Sequence, residues 1–140
     1  MALYLIRHTS PKIPEGVCYG RLDLDVSDTF PIEAQQVKQR IKKTYSKVIV
    51  SPLRRCLKLA EYLNIPFEID SRIQEMDFGD WEGIPWSEIN PKEIDAWAND
   101  IVGYRVPGGE RFQDVIERVE EFLSELSGED NLLITHSGVI

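Results

Sequence analysis

The two histidines of this chain, His8 and His136, are the residues best suited to chemistry. Each ends a short apolar run, and Arg7 directly precedes the first of them. A neutral imidazole can attack phosphorus and form a phosphohistidine, which divides one difficult displacement into two easier ones. A guanidinium offers a planar fork that matches phosphate oxygens. If the two histidines meet, they would form with Arg7 a receptor for a tetrahedral anion; otherwise Arg7 and His8 simply mark where a strand reaches solvent.

A second cationic segment, residues 51–55, reads Ser-Pro-Leu-Arg-Arg. Serine is a favoured N-cap and proline is favoured at the first helical position, so a helix is predicted to start here and run to Leu63. Arg54 would lie in its first turn, where a cation is unfavourable unless an anion joins it. We therefore expect Arg54 to face the anion and Arg55 to be a bystander. The alternative is an exposed arginine on a surface helix.

A carboxyl group for proton transfer is expected within residues 73–83. This segment holds four carboxylates, and Phe78 and Trp81 would draw it onto the body of the protein. Partial burial raises the pKa of a carboxyl group toward the range useful for protonating a leaving oxygen and then activating water. Spacing leaves open which of the four acts. A dinuclear metal site is the competing chemistry, but the chain has no paired ligand motif such as His-x-His.

An α/β fold with a mostly parallel central sheet would bring these residues together. Continuous apolar runs predict buried strands, and apolar residues at three-and-four spacing predict helices. A long loop is predicted over 9–28, and ligands bind outside the carboxyl ends of parallel strands. The predicted strands are 3–6, 47–50, 67–69 and 132–134, and the predicted helices are 32–45, 51–63, 86–97 and 112–126.

The composition favours a single domain over residues 1–140. The chain is 42% hydrophobic, and its net charge of −8 argues against binding to nucleic acid, which requires cations to neutralise phosphates. The apolar residues before Arg7 are too few for a signal peptide or a membrane span, so a cytoplasmic protein that does not bind membranes is expected. Cys18 and Cys56 lack metal-ligand spacing and are expected to be thiols.

Together these segments resemble the phosphoglycerate-mutase-like branch of the histidine phosphatase superfamily. The resemblance implies a three-layer α/β/α fold in which His8 is the nucleophile and Glu75 is the general acid and base. It also implies that Arg7, Arg54 and His136 bind the phosphoryl group, with no metal and no cofactor. The matching segments are 5–9, 51–56, 75–83, 107–110 and 135–138.

Within that superfamily the loop over 11–26 is similar to that of α-ribazole phosphatases of cobalamin nucleotide-loop assembly. The resemblance implies hydrolysis of a small phosphate ester, with Thr9, Tyr19 and Arg21 as substrate-pocket residues. Tyr19 and Tyr104 could stack on the benzimidazole of the substrate, although ordinary packing is an equal alternative.

Three departures from the family pattern bear on this interpretation. Thr9 stands where many members have glycine, a difference that the α-ribazole branch shares. Arg111 follows Glu110 where serine is usual, and the chain stops at Ile140 where the family continues with a helix and further sheet. A truncated chain would show exposed apolar surface, homodimer formation or reduced activity. The alternatives are a phosphoglycerate mutase, a broad-specificity phosphatase, or a phosphate-ligand binding protein without activity.

Overall fold

The computed structural model describes residues 2–42 and 44–140, which form a parallel sheet with helices on both faces. Three single 3-10 turns lie between residues 69 and 91, at Ser71–Ile73, Gly79–Trp81 and Trp86–Glu88. In chain order the other elements are β1 (Ala2–Arg7), α1 (Phe30–Arg40), β2 (Lys47–Val50), α2 (Arg54–Leu63), β3 (Glu68–Ile69), α3 (Pro91–Asn99), α4 (Phe112–Glu125) and β4 (Asp130–Thr135).

The four strands pair in parallel in the order β1-β4-β2-β3. Arg7 lies opposite Thr135 at the ends of β1 and β4. The pairing continues by one residue, since the His8 N–H donates to the Thr135 carbonyl at 3.1 Å. Because parallel strands point the same way, the residues that follow β1, β2 and β4 lie at one edge of the sheet. These residues are His8, Ser51 and His136.

Two of the three core clusters in the described residues pack against the sheet, one on each face, and the third surrounds Trp81. Leu132 and Ile134 pack with α1 and α2 on one face. Ile49 and Leu133 pack with Phe122 of α4 on the other. Each aliphatic side chain buried in this way contributes about 1.5–3 kcal/mol to stability. The three-layer α/β/α arrangement predicted from the sequence is therefore confirmed.

The prediction that the first strand is buried on both faces is wrong. β1 is an edge strand, and its side chains alternate in exposure: Leu3 is 36% and Leu5 is 41% exposed. Tyr4 and Ile6 point the other way and pack against the α1 and α2 layer. The central strands β2 and β4 are buried on both faces, as predicted.

The start of α2 also differs from the prediction. Ser51 is not its N-cap and Pro52 is not its first residue, because the helix begins at Arg54 after Leu53 in extended conformation. The N–H of Arg54 instead donates to Oδ1 of Asp23 at 2.6 Å. The anion at the start of α2 is thus the carboxylate of Asp23, which belongs to the long loop between β1 and α1.

Proline explains the difference in the third helix. The predicted helix over 86–97 is divided, since residues 86–88 form a separate turn. Pro91 begins α3, and the side chain of Asn90 caps it by accepting the N–H of Lys92 at 2.9 Å. Proline suits the first helical position because its missing N–H would have no partner there.

The first and last helices follow the predicted apolar spacing. α1 begins two residues before the predicted start and ends at Arg40, while Lys43 of the predicted range 32–45 lies outside the described residues. α4 ends one residue before the predicted Leu126. Within the described residues, no helix combines the length and apolarity needed to cross a membrane.

Candidate active site

The two imidazoles lie side by side at the carboxyl edge of the sheet. The ring centroids of His8 and His136 are 5.0 Å apart with an interplanar angle of 58°. His8 is 6% exposed and His136 is fully buried. The adjacency of β1 and β4 therefore produces the convergence that the sequence suggested.

Hydrogen bonding determines the tautomer of His8. Its Nδ1 lies 2.6 Å from the carbonyl oxygen of Thr9, which can only accept, so Nδ1 carries the proton. Nε2 is then unprotonated, and its lone pair accepts the Nε–H of Arg55 at 3.4 Å. Burial lowers the pKa of His8 to about 4, and the charges of Arg55 and Arg7 act in the same direction. His8 is thus a neutral imidazole with an unprotonated Nε2.

His136 is held in the opposite tautomer. A guanidinium has no acceptor, so Nη2 of Arg55 donates to Nδ1 of His136 at 3.4 Å. The ring proton therefore lies on Nε2, which donates to Oγ of Ser51 at 2.8 Å. Burial, followed by the charge of Arg55, lowers the pKa of His136 to about 2.

Arg55 is the guanidinium that bridges the two imidazoles. Its side chain is fully buried. Besides His8 and His136, it donates to the carbonyl oxygens of Leu22 and Gly20, both at 2.6 Å. Because all of these groups accept hydrogen bonds from it, the guanidinium is held in one orientation.

The prediction that Arg54 faces the site and Arg55 is a bystander is therefore wrong. Arg54 is exposed, and its contact with Asp23 is made by the backbone. Arg55 lies four residues before Leu59 and eight before Leu63, so it shares their buried face of α2. The apolar spacing of this helix could have identified Arg55 from the sequence.

Glu75 is the carboxylate of residues 73–83 that lines the same cavity as His8. It is 9% exposed, and both of its oxygens accept backbone N–H groups, from Met76 at 2.9 Å and from Gly138 at 3.2 Å. Arg7 and Ser137 lie beside it in the lining of the same cavity. The sequence analysis did not select Ser137, Gly138 or Ser51, since no local pattern shows what lies opposite them.

A charged network holds the backbone of Glu75. Its carbonyl oxygen accepts from Arg21 Nε and Arg118 Nη2, each at 3.2 Å. Glu110 pairs with Arg21 at 3.0 Å and with Arg118 at 3.1 Å. The expectation that Arg21 binds substrate is not met by this geometry, because its guanidinium donates to the Glu75 carbonyl and is paired with the Glu110 carboxylate.

The cavity at this edge has a volume of about 370 Å³. Its polar lining comes from Arg7, His8, Glu75 and Ser137. The remaining lining is largely apolar and aromatic: Val17, Tyr19, Met76, Phe78, Trp86, Trp97, Ile101 and Phe112, with the backbone of Gly138. A ligand here would place a polar group against Arg7, His8 and Glu75, and an apolar group against the aromatic rings.

The other predicted pocket residues are placed differently. Tyr19 lines the cavity, and the guanidinium carbon of Arg55 lies 5.3 Å from its ring centroid. Tyr104 instead stacks against Trp81 at 6.2 Å, within the core. Thr9 is 4% exposed and acts through its carbonyl, while its hydroxyl has no hydrogen-bond partner in the described part of the chain.

No cluster of metal ligands is found among the residues that the structure describes. Across residues 2–42 and 44–140, no three His, Cys, Asp or Glu side chains lie close enough together to hold a metal ion. Metal independence remains a prediction that chelation tests.

Comparison with known sequences identifies relatives that are named as phosphatases. The sequence model of the histidine phosphatase superfamily (branch 1) matches residues 3–140. The chain is 29% identical to "Putative phosphoserine phosphatase 2" of Hydrogenobacter thermophilus, over 99% of this chain and 74% of that protein. It is 34% identical to the 6-phosphofructo-2-kinase/fructose-2,6-bisphosphatase of Gallus gallus, over 99% of this chain but 31% of that protein. The chain thus spans less than a third of that longer relative.

Two solved structures are similar over nearly the whole chain. A phosphoglycerate mutase from Thermus thermophilus superposes with a TM-score of 0.87 at 29% identity, covering 100% of this chain and 80% of that one. A "putative alpha-ribazole-5'-P phosphatase" from Escherichia coli superposes with a TM-score of 0.88 at 28% identity, covering 99% and 75%. The paired histidines, the buried arginine and the matched sequence model agree: this chain belongs to the histidine phosphatase superfamily, branch 1.

Proposed function

We propose that this protein is a metal-independent phosphomonoesterase that acts through a phosphohistidine on His8. The observation that carries this proposal is the tautomer of His8, whose Nδ1–H is engaged by the Thr9 carbonyl so that Nε2 presents its lone pair. In the first step Nε2 attacks phosphorus and the bond to the leaving oxygen breaks, while that oxygen takes a proton from the carboxylic acid of Glu75.

The second step reverses these roles. The Glu75 carboxylate accepts a proton from water, the water oxygen attacks phosphorus, and the bond from phosphorus to Nε2 breaks. Arg7 and Arg55 hold the phosphoryl oxygens by charge-assisted hydrogen bonds. His136 lies beside His8, with ring centroids 5.0 Å apart, and is the further residue that we propose to contact the phosphoryl group.

The aromatic lining favours a phosphate ester with a flat, uncharged leaving group. With phosphorus at His8, the leaving group would lie among Tyr19, Phe78, Trp86 and Trp97, where ring stacking and apolar burial stabilise it. We therefore propose α-ribazole 5′-phosphate as the substrate and cobalamin nucleotide-loop assembly as the pathway. The similarity to the Escherichia coli structure that is named as an α-ribazole-5′-phosphate phosphatase supports this choice.

Substrates with an additional carboxylate fit less well. Phosphoserine and phosphoglycerate would bring a second anion, and burying it requires a cation or several hydrogen-bond donors. Among the described residues that line the cavity, Arg7 is the one cation, and in this mechanism it is engaged by the phosphoryl group.

The decisive experiment compares phosphate release from α-ribazole 5′-phosphate, phosphoserine and 3-phosphoglycerate, with EDTA present, for the wild type and His8→Ala. We expect a preference for α-ribazole 5′-phosphate that EDTA leaves unchanged and His8→Ala abolishes. Equal rates on all three esters would keep the mechanism and reject the substrate. Loss of activity in EDTA would reject the mechanism, and binding without phosphate release would favour the non-enzymatic alternative.

The cytoplasmic location and the homodimer stay predictions.

A further inference from the structure

Glu82 and Arg55 hold opposite sides of a single peptide group, the one that joins Gly20 to Arg21. The N–H of Arg21 donates to Oε2 of Glu82 at 2.7 Å. The carbonyl oxygen of Gly20 accepts from Nη2 of Arg55 at 2.6 Å. A trans peptide points its N–H and C=O in opposite directions, so the carboxylate and the guanidinium are aligned across the peptide plane.

The carboxylate of Glu82 also defines the turn around this peptide. Oε1 accepts the N–H of Gly20 at 2.7 Å and of Leu22 at 3.2 Å, and Oε2 accepts that of Phe78 at 2.9 Å. The backbone of Gly20 lies so close to residues 76–78 that a Cβ there would be 2.1 Å from the Met76 carbonyl oxygen. One carboxylate with four backbone donors therefore determines the direction of the Gly20 carbonyl.

Backbone carbonyls such as that of Gly20 hold Arg55. Within the described residues, its guanidinium donates to the carbonyls of Gly20 and Leu22 and to the two imidazoles, and it donates to no carboxylate. A buried cation needs compensating negative charge. Glu82 supplies part of that charge from one peptide away, and Glu75 also acts on Arg55.

We propose that Glu82 is a positioning residue that holds Arg55 through the Gly20–Arg21 peptide. As a result, Nε of Arg55 points at Nε2 of His8 and the guanidinium is oriented to bind a phosphoryl group. This inference rests on the proposed function, because it assigns Arg55 to phosphate binding. Peptide polarisation by the carboxylate also strengthens the Gly20 carbonyl as an acceptor.

The test uses the full chain, Glu82→Gln and a matched control, Glu93→Gln. Glu93 also accepts a hydrogen bond, from Nε1 of Trp81 at 3.2 Å, but makes no contact with the 20–22 turn. The first measurement is the ¹⁵N chemical shift of His8 Nε2 in the free protein, expected to move in Glu82→Gln and not in Glu93→Gln. The second is the Kd of inorganic phosphate, expected to rise at least about tenfold in Glu82→Gln, as for loss of a charged hydrogen bond.

A double-mutant cycle separates positioning from general damage. In an Arg55→Ala background, Glu82→Gln should change the phosphate Kd less than about twofold, since coupled residues are not additive. An equal effect in both backgrounds would overturn the inference, as would an unchanged His8 shift. If the wild type binds no phosphate, the proposed function fails while the His8 shift still decides the inference. If Glu82→Gln does not fold, Glu82→Asp replaces it, because the shorter side chain moves the carboxylate away from the peptide; the His8 shift and the phosphate Kd are then compared in the same way.

Discussion

Gly138 and Glu75 are in such close contact that no side chain fits between them. The N–H of Gly138 donates to Oε2 of Glu75 at 3.2 Å, and a Cβ on Gly138 would lie 2.1 Å from Oε1. The turn after β4 therefore positions the carboxyl group by both a hydrogen bond and steric contact. Because that turn also follows His136, the proposed acid and the second imidazole are placed by one backbone segment.

Gly138→Ala should displace the Glu75 carboxyl group with little effect on folding. We expect kcat/KM to fall about 100-fold, since a displacement of about 1 Å is enough to cost that much. Steady-state kinetics and thermal unfolding would measure the two effects. In a Glu75→Ala background the same substitution should have no further effect on kcat/KM, and wild-type activity in Gly138→Ala would show that the carboxyl group is not held in this way.

The neighbours Arg54 and Arg55 offer a paired test of the site. Arg55→Ala should weaken binding of inorganic phosphate by at least about tenfold, because it removes a charged donor from the histidines. Arg54→Ala should bind phosphate like the wild type, since its side chain is exposed and its backbone N–H still reaches Asp23. Calorimetric titration would measure both, and a larger loss in Arg54→Ala would contradict the assignment.

Ser51 should stabilise the neutral ring of His136. In Ser51→Ala the Nε2–H loses the Ser51 hydroxyl as acceptor while Arg55 still donates to Nδ1, so we expect the ¹⁵N shift of Nε2 to move and the free energy of unfolding to fall by about 1–3 kcal/mol. Long-range ¹H–¹⁵N NMR spectra of the histidine rings would report the shift. Ser124→Ala, which removes a hydroxyl from an exposed helix position, is the control and should leave the spectrum of His136 unchanged.

The two buried histidines should make stability fall in acid. Burial, followed by the charge of Arg55, lowers the pKa of His136 to about 2, whereas the unfolded chain titrates near 6.5. Between these values the unfolded state binds the additional proton, so the stability that neutral His136 gives is complete above pH 6.5 and is lost as pH falls toward 2. His8 adds the same effect between pH 6.5 and about 4.

Urea unfolding at about pH 6 and pH 5 would measure this effect. We expect the wild type to lose about 1 kcal/mol more than His136→Asn over that interval, since a full proton difference is about 1.4 kcal/mol per pH unit. Comparing the two slopes removes the contribution of the carboxylates, which both proteins share. Parallel slopes would mean that His136 is not buried as a neutral ring.

Local patterns in the sequence were sufficient for the elements and for much of the site. Apolar runs predicted β2 and β4 as buried strands, and the spacing of apolar residues predicted α4 to within one residue. His8 and His136 could be identified because each ends such a run, and neighbouring parallel strands bring their carboxyl ends together. These features depend on side-chain periodicity and strand direction, which are properties of adjacent residues.

Tertiary structure alone decided what lies opposite each of these residues. The family resemblance had already selected Glu75 from the four carboxylates of residues 73–83, but the partner that holds it, the N–H of Gly138, comes from a distant segment of the chain. Asp23, rather than Ser51, meets the start of α2, and Ser51 turns instead to His136. Such partners are set by which segments pack together in space, so a local sequence pattern does not encode them. By itself the sequence determined which chemical groups are available at the carboxyl edge of the sheet. The packing of distant loops determined which of these groups contact one another and in which orientation.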